Sequence, residues 1–313
     1  MFFIREAYMK FKYIVDHENR GRTVYSILRE EFEFSNRLIR KLKRNKLIFC
    51  NGTQVNVRYV LKTNDIIEVN IDFKETSENI EPVKMDLNIL YEDESIIALD
   101  KPAGVVITPI GVHQDNSLAN GIMYYFQSKG VQTKIRPVNR LDIDTTGVVV
   151  FAKNAYVHDM LRKQIMANQY ERKYIGIVHG CPVEQTGTIN LPIARCPNSI
   201  ILREVSQSGA PSVTHYTVIE HLEEAAIVKF VLETGRTHQI RVHCQAIGHP
   251  LVGDALYSNI QTSLITRQAL HAYYISFTHP ITGEKIEISS PMPVDMVKLV
   301  EAIKNGFMPC KGY

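Results

Sequence analysis

The sequence predicts an α+β fold, with a small α/β unit at the N-terminus and a larger body built on a largely antiparallel sheet. In the larger body candidate strands outnumber candidate helices, which favours this class over a regular alternation of strand and helix. With 313 residues the chain is long enough for two or three domains, one with a sizeable core. A polar stretch without hydrophobic periodicity, residues 73–85, is interpreted as the linker between the two parts.

Residues 12–72 are predicted to form the small unit. Ser35 is suited to cap the start of a helix, because its hydroxyl can accept from a free backbone N–H of the first turn. The apolar face of that helix carries Leu38, Ile39 and Leu42. The dipeptide Asn51-Gly52 follows a short apolar run and is a strong signal for a β-hairpin. The unit is therefore expected to combine an amphipathic helix with a short β-element.

The other face of this helix is strongly basic. Six positively charged residues, with no acid among them, make up this basic face: Arg37, Arg40, Lys41, Lys43, Arg44 and Lys46. The first 72 residues hold 14 Lys and Arg against 9 Asp and Glu, a net charge of +5 in a chain of net charge +3. A basic helix face is often only a solvated surface, but a cluster of positive charges without acids favours phosphate contacts. We therefore expect the basic face to bind RNA or DNA.

Residues 86–306 are predicted to form the larger body. Helical periodicity predicts helices over residues 118–126 and 155–166, and a third helix is expected to begin near Arg241. Apolar or alternating segments predict strands at 89–91, 96–100, 148–151, 173–178, 212–220 and 226–234.

Composition excludes several classes of function. With 45% hydrophobic and 22% charged residues, and no apolar run near the ~18 residues of a membrane span, the chain is expected to be a cytoplasmic protein without a membrane contact. Its start lacks the pattern of a secretion signal, and its five scattered cysteines are expected to be free thiols. No phosphate-cradling or dinucleotide glycine motif is present, which favours a reaction without a cofactor.

One acid, Asp142, stands out in the larger body. It lies between an arginine-rich turn and the apolar run 148–151, in the segment Arg-Pro-Val-Asn-Arg-Leu-Asp-Ile-Asp-Thr-Thr-Gly that ends at Gly147. An acid between a turn and a core strand is held rigidly, as a nucleophile must be. The alternative is a turn acid bonded to the hydroxyls of Thr145 and Thr146.

Two further segments have the character of an active site. Tyr174 lies near the start of a predicted strand with alternating apolar residues. Taken alone, it is more simply interpreted as a core aromatic than as a catalytic residue. Residues 234–243 read Thr-Gly-Arg-Thr-His-Gln-Ile-Arg-Val-His. His238 and His243 are five residues apart, so they do not share a helix face as metal ligands four apart would. A zinc site is therefore the weaker hypothesis.

Together these segments resemble the RluA/RluD-type pseudouridine synthases. The strings Asn-Arg-Leu-Asp-x-x-Thr-Thr-Gly and Gly-Arg-Thr-His-Gln-Ile-Arg-Val-His carry the resemblance, with Leu-Asp-Lys-Pro-Ala-Gly at residues 99–104. Two positions depart from the family pattern, since Asn139 replaces a more frequent His and Thr146 a more frequent Ser. Residues 35–42, 48–52 and 64–69 also resemble the small RNA-binding domain named after ribosomal small-subunit protein four, which implies RNA rather than DNA.

The resemblance implies roles for individual residues. Asp142 would be the nucleophile, Arg241 its salt-bridge partner with Arg236 as second choice, and Tyr174 would stack on the uracil. Arg140 would fill the space that an extruded uridine leaves, and Lys101 would hold a backbone phosphate. The remaining substrate-binding candidates in the second string are His238 and Gln239. The implied substrate is structured RNA, most of all 23S ribosomal RNA, with no obligate protein partner and a monomeric enzyme.

Two other functions compete with an RNA isomerase. A ribosome-assembly factor with a vestigial catalytic centre would bind RNA without using Asp142. A glycosidase or nucleosidase would use Asp142 against a sugar carbon, but such enzymes usually pair two carboxylates. The adjacent Asp144 lies too close along an extended chain to flank the same bond.

Overall fold

The computed structural model describes residues 3–6, 10–71, 73, 75 and 80–307. In the small unit a five-stranded antiparallel sheet of order β1-β2-β5-β3-β4 packs with two helices. These elements are β1 (Phe3–Glu6), β2 (Lys10–Ile14), α1 (Val24–Glu30), α2 (Asn36–Arg44), β3 (Ile48–Cys50), β4 (Thr53–Gln54) and β5 (Ile66–Asn70). The predicted helix is confirmed as α2, because the Ser35 hydroxyl accepts from Leu38 N and the three predicted apolar residues are buried.

The larger body is built on a nine-stranded sheet of order β10-β13-β14-β9-β15-β8-β7-β6, with β16 paired to β15. Its elements are β6 (Ile89–Glu92), β7 (Ile96–Lys101), α3 (Leu118–Ser128), β8 (Thr146–Ala152), α4 (Ala155–Met166), β9 (Glu171–His179), β10 (Thr186–Asn190), β11 (Ile193–Arg195), β12 (Arg203–Val205), β13 (Val213–His221), β14 (Ala225–Leu232), α5 (Gln239–Ala246), β15 (Leu270–Thr278), β16 (Lys285–Ser289) and α6 (Val294–Lys304). Only the β15–β8 pair is parallel among the described strands, so the expected α+β class and largely antiparallel sheet are confirmed.

Local signals account for the helices of this body. Asn154 caps α4 by accepting from Val157 N, and the predicted bounds 155–166 are confirmed. Ser117 and Asn120 form a capping box at the start of α3, which runs two residues beyond its predicted end. No helix in the described part of the chain is both long and apolar enough to span a bilayer.

The small unit packs directly on the larger body through an aromatic cluster. The rings of Phe11 and Phe34 contact the ring of Tyr156 on α4, with centroid distances of 4.8 and 5.4 Å. Beside them the Ser35 hydroxyl donates to the Asp159 carboxylate at 2.5 Å. The two parts therefore share one continuous hydrophobic core.

The segment interpreted as a linker takes part in this contact. The Glu75 carboxylate forms ion pairs with both Lys41 of α2 and Arg136 of the larger body. Residues 74 and 76–79 of the same segment lie outside the described residues. Glu75 therefore joins the basic helix to the body electrostatically, which the polar composition of the segment did not indicate.

Candidate active site

Asp142 lies in the turn that leads into β8. The Asn139 side chain braces this turn by donating to Val148 O at 3.1 Å and accepting from Val150 N at 2.9 Å. Thr145 N donates to the backbone oxygen of Asp142 at 3.1 Å. Asn139, which departs from the family pattern, is thus a buried support for the turn.

Gly147 explains why the turn ends in Thr-Thr-Gly. It adopts φ +114°, a conformation that L side chains rarely adopt, and a Cβ placed there would lie 2.2 Å from Ala272 O of β15. Only glycine lets β8 approach β15 this closely at the point where the turn begins. The Asp142 turn is therefore held against the centre of the sheet.

The alternative role for Asp142, a turn acid bonded to threonine hydroxyls, is wrong. The Thr145 hydroxyl accepts from Gln268 at 3.2 Å, and the Thr146 hydroxyl bonds His271 Nδ1 at 2.9 Å. Both hydroxyls point into the core, and the Asp142 carboxylate faces Arg241 instead.

Arg241 is held between two carboxylates. Its Nη1 lies 3.4 Å from Asp142 Oδ2, while Nε and Nη2 each donate to Asp254 at 2.7 Å. The Asp254 side chain is fully buried, and the Arg241 side chain is 6% exposed. Burial alone would lower the pKa of Arg241, but Asp254 and then Asp142 outweigh it and raise the pKa above its usual value. A permanent cation therefore lies beside the Asp142 carboxylate.

Asp254 is the buried partner of Arg241, and no sequence pattern indicated it. It follows the buried run Leu251-Val252 and Gly253, and its Oδ1 also accepts from Leu256 N and Tyr257 N. An acid in this setting is unusual, but no local spacing ties it to Arg241, thirteen residues earlier.

His238 is the second group beside Asp142. Its Nε2 lies 3.9 Å from Asp142 Oδ2, and its Nδ1 bonds the Tyr257 hydroxyl at 2.8 Å. The residue precedes α5 in the left-handed region, with φ +58°, which is uncommon outside glycine and is typical of functional sites. Burial lowers the pKa of His238, although Asp142 opposes the shift, so the ring is neutral near pH 7.

Tyr174 faces the same cleft from β9. It is only 6% exposed and packs in the hydrophobic cluster that includes Phe230 and Ile240. Burial raises the pKa of its phenol above the ordinary value, so the hydroxyl stays protonated. An apolar ring with a neutral hydroxyl is suited to lie against a nucleobase.

The cleft contains about 350 Å³ of empty space, part of which is open solvent. It is lined by Arg140, Leu141, Asp142, Thr145, Tyr174, Leu232, Arg236, His238, Gln239, Ile240, Arg241 and Leu270. Arg140 and Arg236 are exposed, and Arg236 Nε donates to Pro211 O at 3.3 Å rather than to Asp142. Of the two arginines considered as partners of Asp142, Arg241 is therefore the one in contact.

Two predicted substrate-binding residues have structural roles instead. Gln239 is buried, and its amide bonds Thr234, Arg236 N, Val213 O and Thr214, which leaves it no group for a substrate.

Lys101 is fully buried in β7 and cannot reach an RNA phosphate. Its Nζ donates to Pro102 O at 2.8 Å and to Ile143 O at 2.5 Å. Ile143 is the residue that follows Asp142. Burial lowers the pKa of Lys101 to about 8.

Replacing Lys101 with methionine tests this correction. We expect kcat to fall roughly 10- to 100-fold, because the Ile143 carbonyl loses its donor and the neighbouring carboxylate shifts. RNA affinity in a filter-binding assay should stay within about twofold of wild type, since no phosphate contact is lost. The control is Lys129→Met at the end of α3. Weaker RNA binding with an unchanged kcat would restore the phosphate role.

The weaker zinc hypothesis loses one of its ligands. His243 Nδ1 bonds the Thr214 hydroxyl at 2.9 Å, and Nε2 bonds Leu191 O at 3.0 Å. Within the residues that the structure describes, no group of three or more His, Cys, Asp or Glu side chains is arranged to hold a metal ion.

The basic face of α2 is largely available to a polyanion. Arg37, Arg40, Lys43, Arg44 and Lys46 are exposed. Lys41 differs, because its side chain is 24% exposed and its ammonium is paired with Glu75. The predicted set of six is thus reduced to five free cations on this helix and the residues that follow it.

Comparisons with known proteins point to one family. The sequence profile of the RNA pseudouridylate synthase family matches residues 95–246. The chain is 41% identical over 251 residues to YjbO of Bacillus subtilis (strain 168), described as an uncharacterized RNA pseudouridine synthase, covering 80% of this chain and 88% of that protein. It is 34% identical over 293 residues to ribosomal large subunit pseudouridine synthase D of Haemophilus ducreyi, covering 89% of this chain and 90% of the relative.

A solved structure shares the fold and part of the sequence. Human RNA Pseudouridylate Synthase Domain Containing 1 matches with a TM-score of 0.56 and 28% identity, over 68% of this chain and 86% of that chain. The chain belongs to the RNA pseudouridylate synthase family, as an isomerase of the RluA/RluD type that acts on RNA.

Proposed function

We propose that this enzyme converts specific uridines of 23S ribosomal RNA into pseudouridine, with Asp142 as the nucleophile and without a cofactor. The observation that carries the proposal is the Asp142 carboxylate at 3.4 Å from a buried arginine in an open cleft. The large-subunit target is supported by relatives 34–37% identical, whose names describe enzymes of the ribosomal large subunit.

The reaction is balanced without an external reagent. The bond from uracil N1 to ribose C1′ breaks, the base turns, and C5 joins C1′. The proton leaves C5 and N1 gains one, so the product is an isomer of uridine. Asp142 acts by attacking either the sugar carbon or the base.

Arg241 and Tyr174 complete the chemistry. Arg241 holds the Asp142 carboxylate in position, because Asp254 fixes the guanidinium from behind. Tyr174 lies against the uracil face and is the candidate to move a proton at the end of the reaction. Both residues line the same cleft as the nucleophile.

The target uridine must leave its stack to reach Asp142, at a cost of a few kcal/mol. Arg140 is exposed at the edge of the cleft, two residues before Asp142. Its planar guanidinium is suited to stack in the vacated position. We infer that base flipping and Arg140 insertion occur together.

Residues 12–72 are proposed as the RNA-binding domain, acting through the five exposed cations near α2. The small unit shares a core with the larger body, so neutralising charges is a better test than deleting the unit. We further predict a monomeric, cytoplasmic enzyme.

The triple change Arg40→Gln, Lys43→Gln and Arg44→Gln is expected to weaken RNA binding about tenfold or more. The slope of log affinity against log salt should fall by up to ~3, roughly one unit per phosphate contact. The matched control neutralises three other exposed lysines: Lys129, Lys298 and Lys304. Equal slopes for the triple variant and wild type would show that the helix binds something other than RNA.

A glycosidase is disfavoured by the charges of the cleft. Asp142 is the only carboxylate among the described residues that line it, and the neighbouring Asp254 is fully engaged with Arg241. A catalytic pair of carboxylates is therefore missing. An assembly factor with a vestigial centre remains the second candidate, and it predicts that Asp142 is dispensable.

The direct test is to map pseudouridine across total RNA from cells with and without this gene. We expect one or a few sites in 23S ribosomal RNA to disappear and to return on complementation. Complementation by an Asp142→Asn variant should leave them unmodified. Loss of sites in transfer RNA alone would contradict the proposed target, and no lost site would contradict the proposed function.

A further inference from the structure

We propose that Arg172 is a phosphate-binding residue, which holds an RNA phosphodiester beside the nucleotide that enters the Asp142 cleft. This inference rests on the proposed function in one respect, that the target nucleotide occupies the cleft. It adds a residue of β9 whose side chain neither stabilises the fold through an ion pair nor takes part in the chemistry.

Arg172 lies on the same face of β9 as Tyr174. Side chains alternate along a strand, so Arg172 and Tyr174 point to the same face, and Tyr170 immediately precedes the strand. Tyr174 lines the cleft, whereas Tyr170 stacks on Phe277 in the core shared with the small unit. Arg172 therefore lies between the catalytic cleft and the side of the body on which the small unit packs.

The Arg172 guanidinium lies directly against the loop in which the segment Gly-Arg-Thr-His begins, at residue 235. A Cβ placed on Gly235 would lie 2.7 Å from Arg172 Nη1. Gly235 immediately precedes Arg236, which lines the cleft and is exposed. Glycine at position 235 thus leaves the space that the guanidinium occupies.

This buried cation lacks a partner. Arg172 is 8% exposed, and its Nε is fully buried without a hydrogen-bond acceptor. Within the described residues the guanidinium forms no hydrogen bond or ion pair. Arg172 acts electrostatically on the phenols of Tyr170 and Tyr174, which burial keeps neutral by raising their pKa values. An unpaired buried charge is strongly unfavourable, so a built-in anion site is expected here.

RNA supplies the missing anion. Each nucleotide carries one phosphate, and the planar guanidinium matches phosphate geometry through two parallel N–H donors. The flanking cations on the cleft surface, Arg140 and Arg236, favour the entry of the same backbone. When the flipped uridine reaches Asp142, its flanking phosphate passes close to Arg236 and Gly235, and the Arg172 guanidinium lies against Gly235.

The test replaces Arg172 with methionine, with Lys173→Met as the matched control. Lys173 is adjacent on the opposite face of β9, where it pairs with Glu171 at 3.1 Å. Both variants are made in an Asp142→Asn background, so that the RNA is not modified during binding. The probe is an unmodified transcript of 23S ribosomal RNA, titrated at several salt concentrations.

For Arg172→Met we expect about a tenfold loss of affinity and a salt slope reduced by roughly 0.7 to 0.9, the value for one phosphate contact. The melting temperature without RNA should be unchanged or higher, because an unpaired buried charge has been removed. Arg172→Lys should keep the wild-type slope, since it keeps the charge. Lys173→Met should bind as its parent does.

Two results would overturn the proposal. One is a salt slope for Arg172→Met equal to that of its parent. The other is a marked fall in melting temperature or a failure to fold, which would mean that the guanidinium stabilises the protein. Because binding is measured without turnover, the salt slope decides on Arg172 even if the wild-type enzyme modifies no uridine in 23S ribosomal RNA.

Discussion

Replacing Asp142 with asparagine is expected to abolish pseudouridine formation and to leave RNA binding almost intact. The amide is nearly the same size as the carboxylate but is a poor nucleophile, so the rate should fall by ~10⁴-fold or more. Affinity for RNA should change less than about threefold, because removing one negative charge from a basic cleft does not remove any phosphate contact.

The measurement is single-turnover conversion of a 23S ribosomal RNA transcript with enzyme in excess. The matched control is Asp144→Asn, the same change two residues away. The Asp144 side chain does not line the cleft in the described structure, and the backbone oxygen of this residue accepts from Arg267 at 3.1 Å. The control should convert RNA at close to the wild-type rate. Conversion by Asp142→Asn at that same rate would remove Asp142 from its proposed role.

Features that depend on neighbouring residues could be predicted from the sequence. The bounds of α4 follow from Asn154 and from apolar spacing, and the buried strand β8 follows from an uninterrupted apolar run. The turn that carries Asp142 could be located because Gly147 and the strand after it are local signals. The contact between Asp142 and Arg241 came only from the family resemblance, since 99 residues separate the two.

Features that depend on distant contacts could not be predicted. The sequence around Lys101 predicts an exposed cation in a loop, and only the three-dimensional fold buries its ammonium against Ile143 O. Gln239 lines the cleft, but the β13 residues Val213 and Thr214 take up the N–H groups of its amide. The docking of the small unit through Tyr156 leaves no signature in the chain, because an aromatic on a helix packs equally well in many cores.

Asp254, which no sequence pattern indicated, is expected to have the second-largest effect when replaced. Asp254→Asn removes the charge that holds Arg241 through two hydrogen bonds of 2.7 Å. Breaking a buried ion pair leaves an uncompensated cation, and the free energy of unfolding should fall by about 3 kcal/mol. Arg241 is then expected to turn toward Asp142 and lose its alignment, which should lower kcat by roughly 100-fold.

Urea unfolding and single-turnover kinetics measure the two effects separately. The control is Glu33→Gln, whose carboxylate is 52% exposed and pairs with the similarly exposed Lys163, so its loss should cost about 1 kcal/mol or less. Stability and rate like those of wild type in Asp254→Asn would contradict the role of this residue.

The double variant Arg241→Met with Asp254→Leu separates the structural role of this ion pair from its catalytic role. Replacing both partners of a buried pair with apolar residues is often neutral or stabilising, so the double variant should unfold at close to the wild-type urea concentration. It should nevertheless remain inactive, because no cation lies beside Asp142. Recovery of activity together with stability would mean that the ion pair serves only the fold, and that Asp142 needs no neighbouring charge.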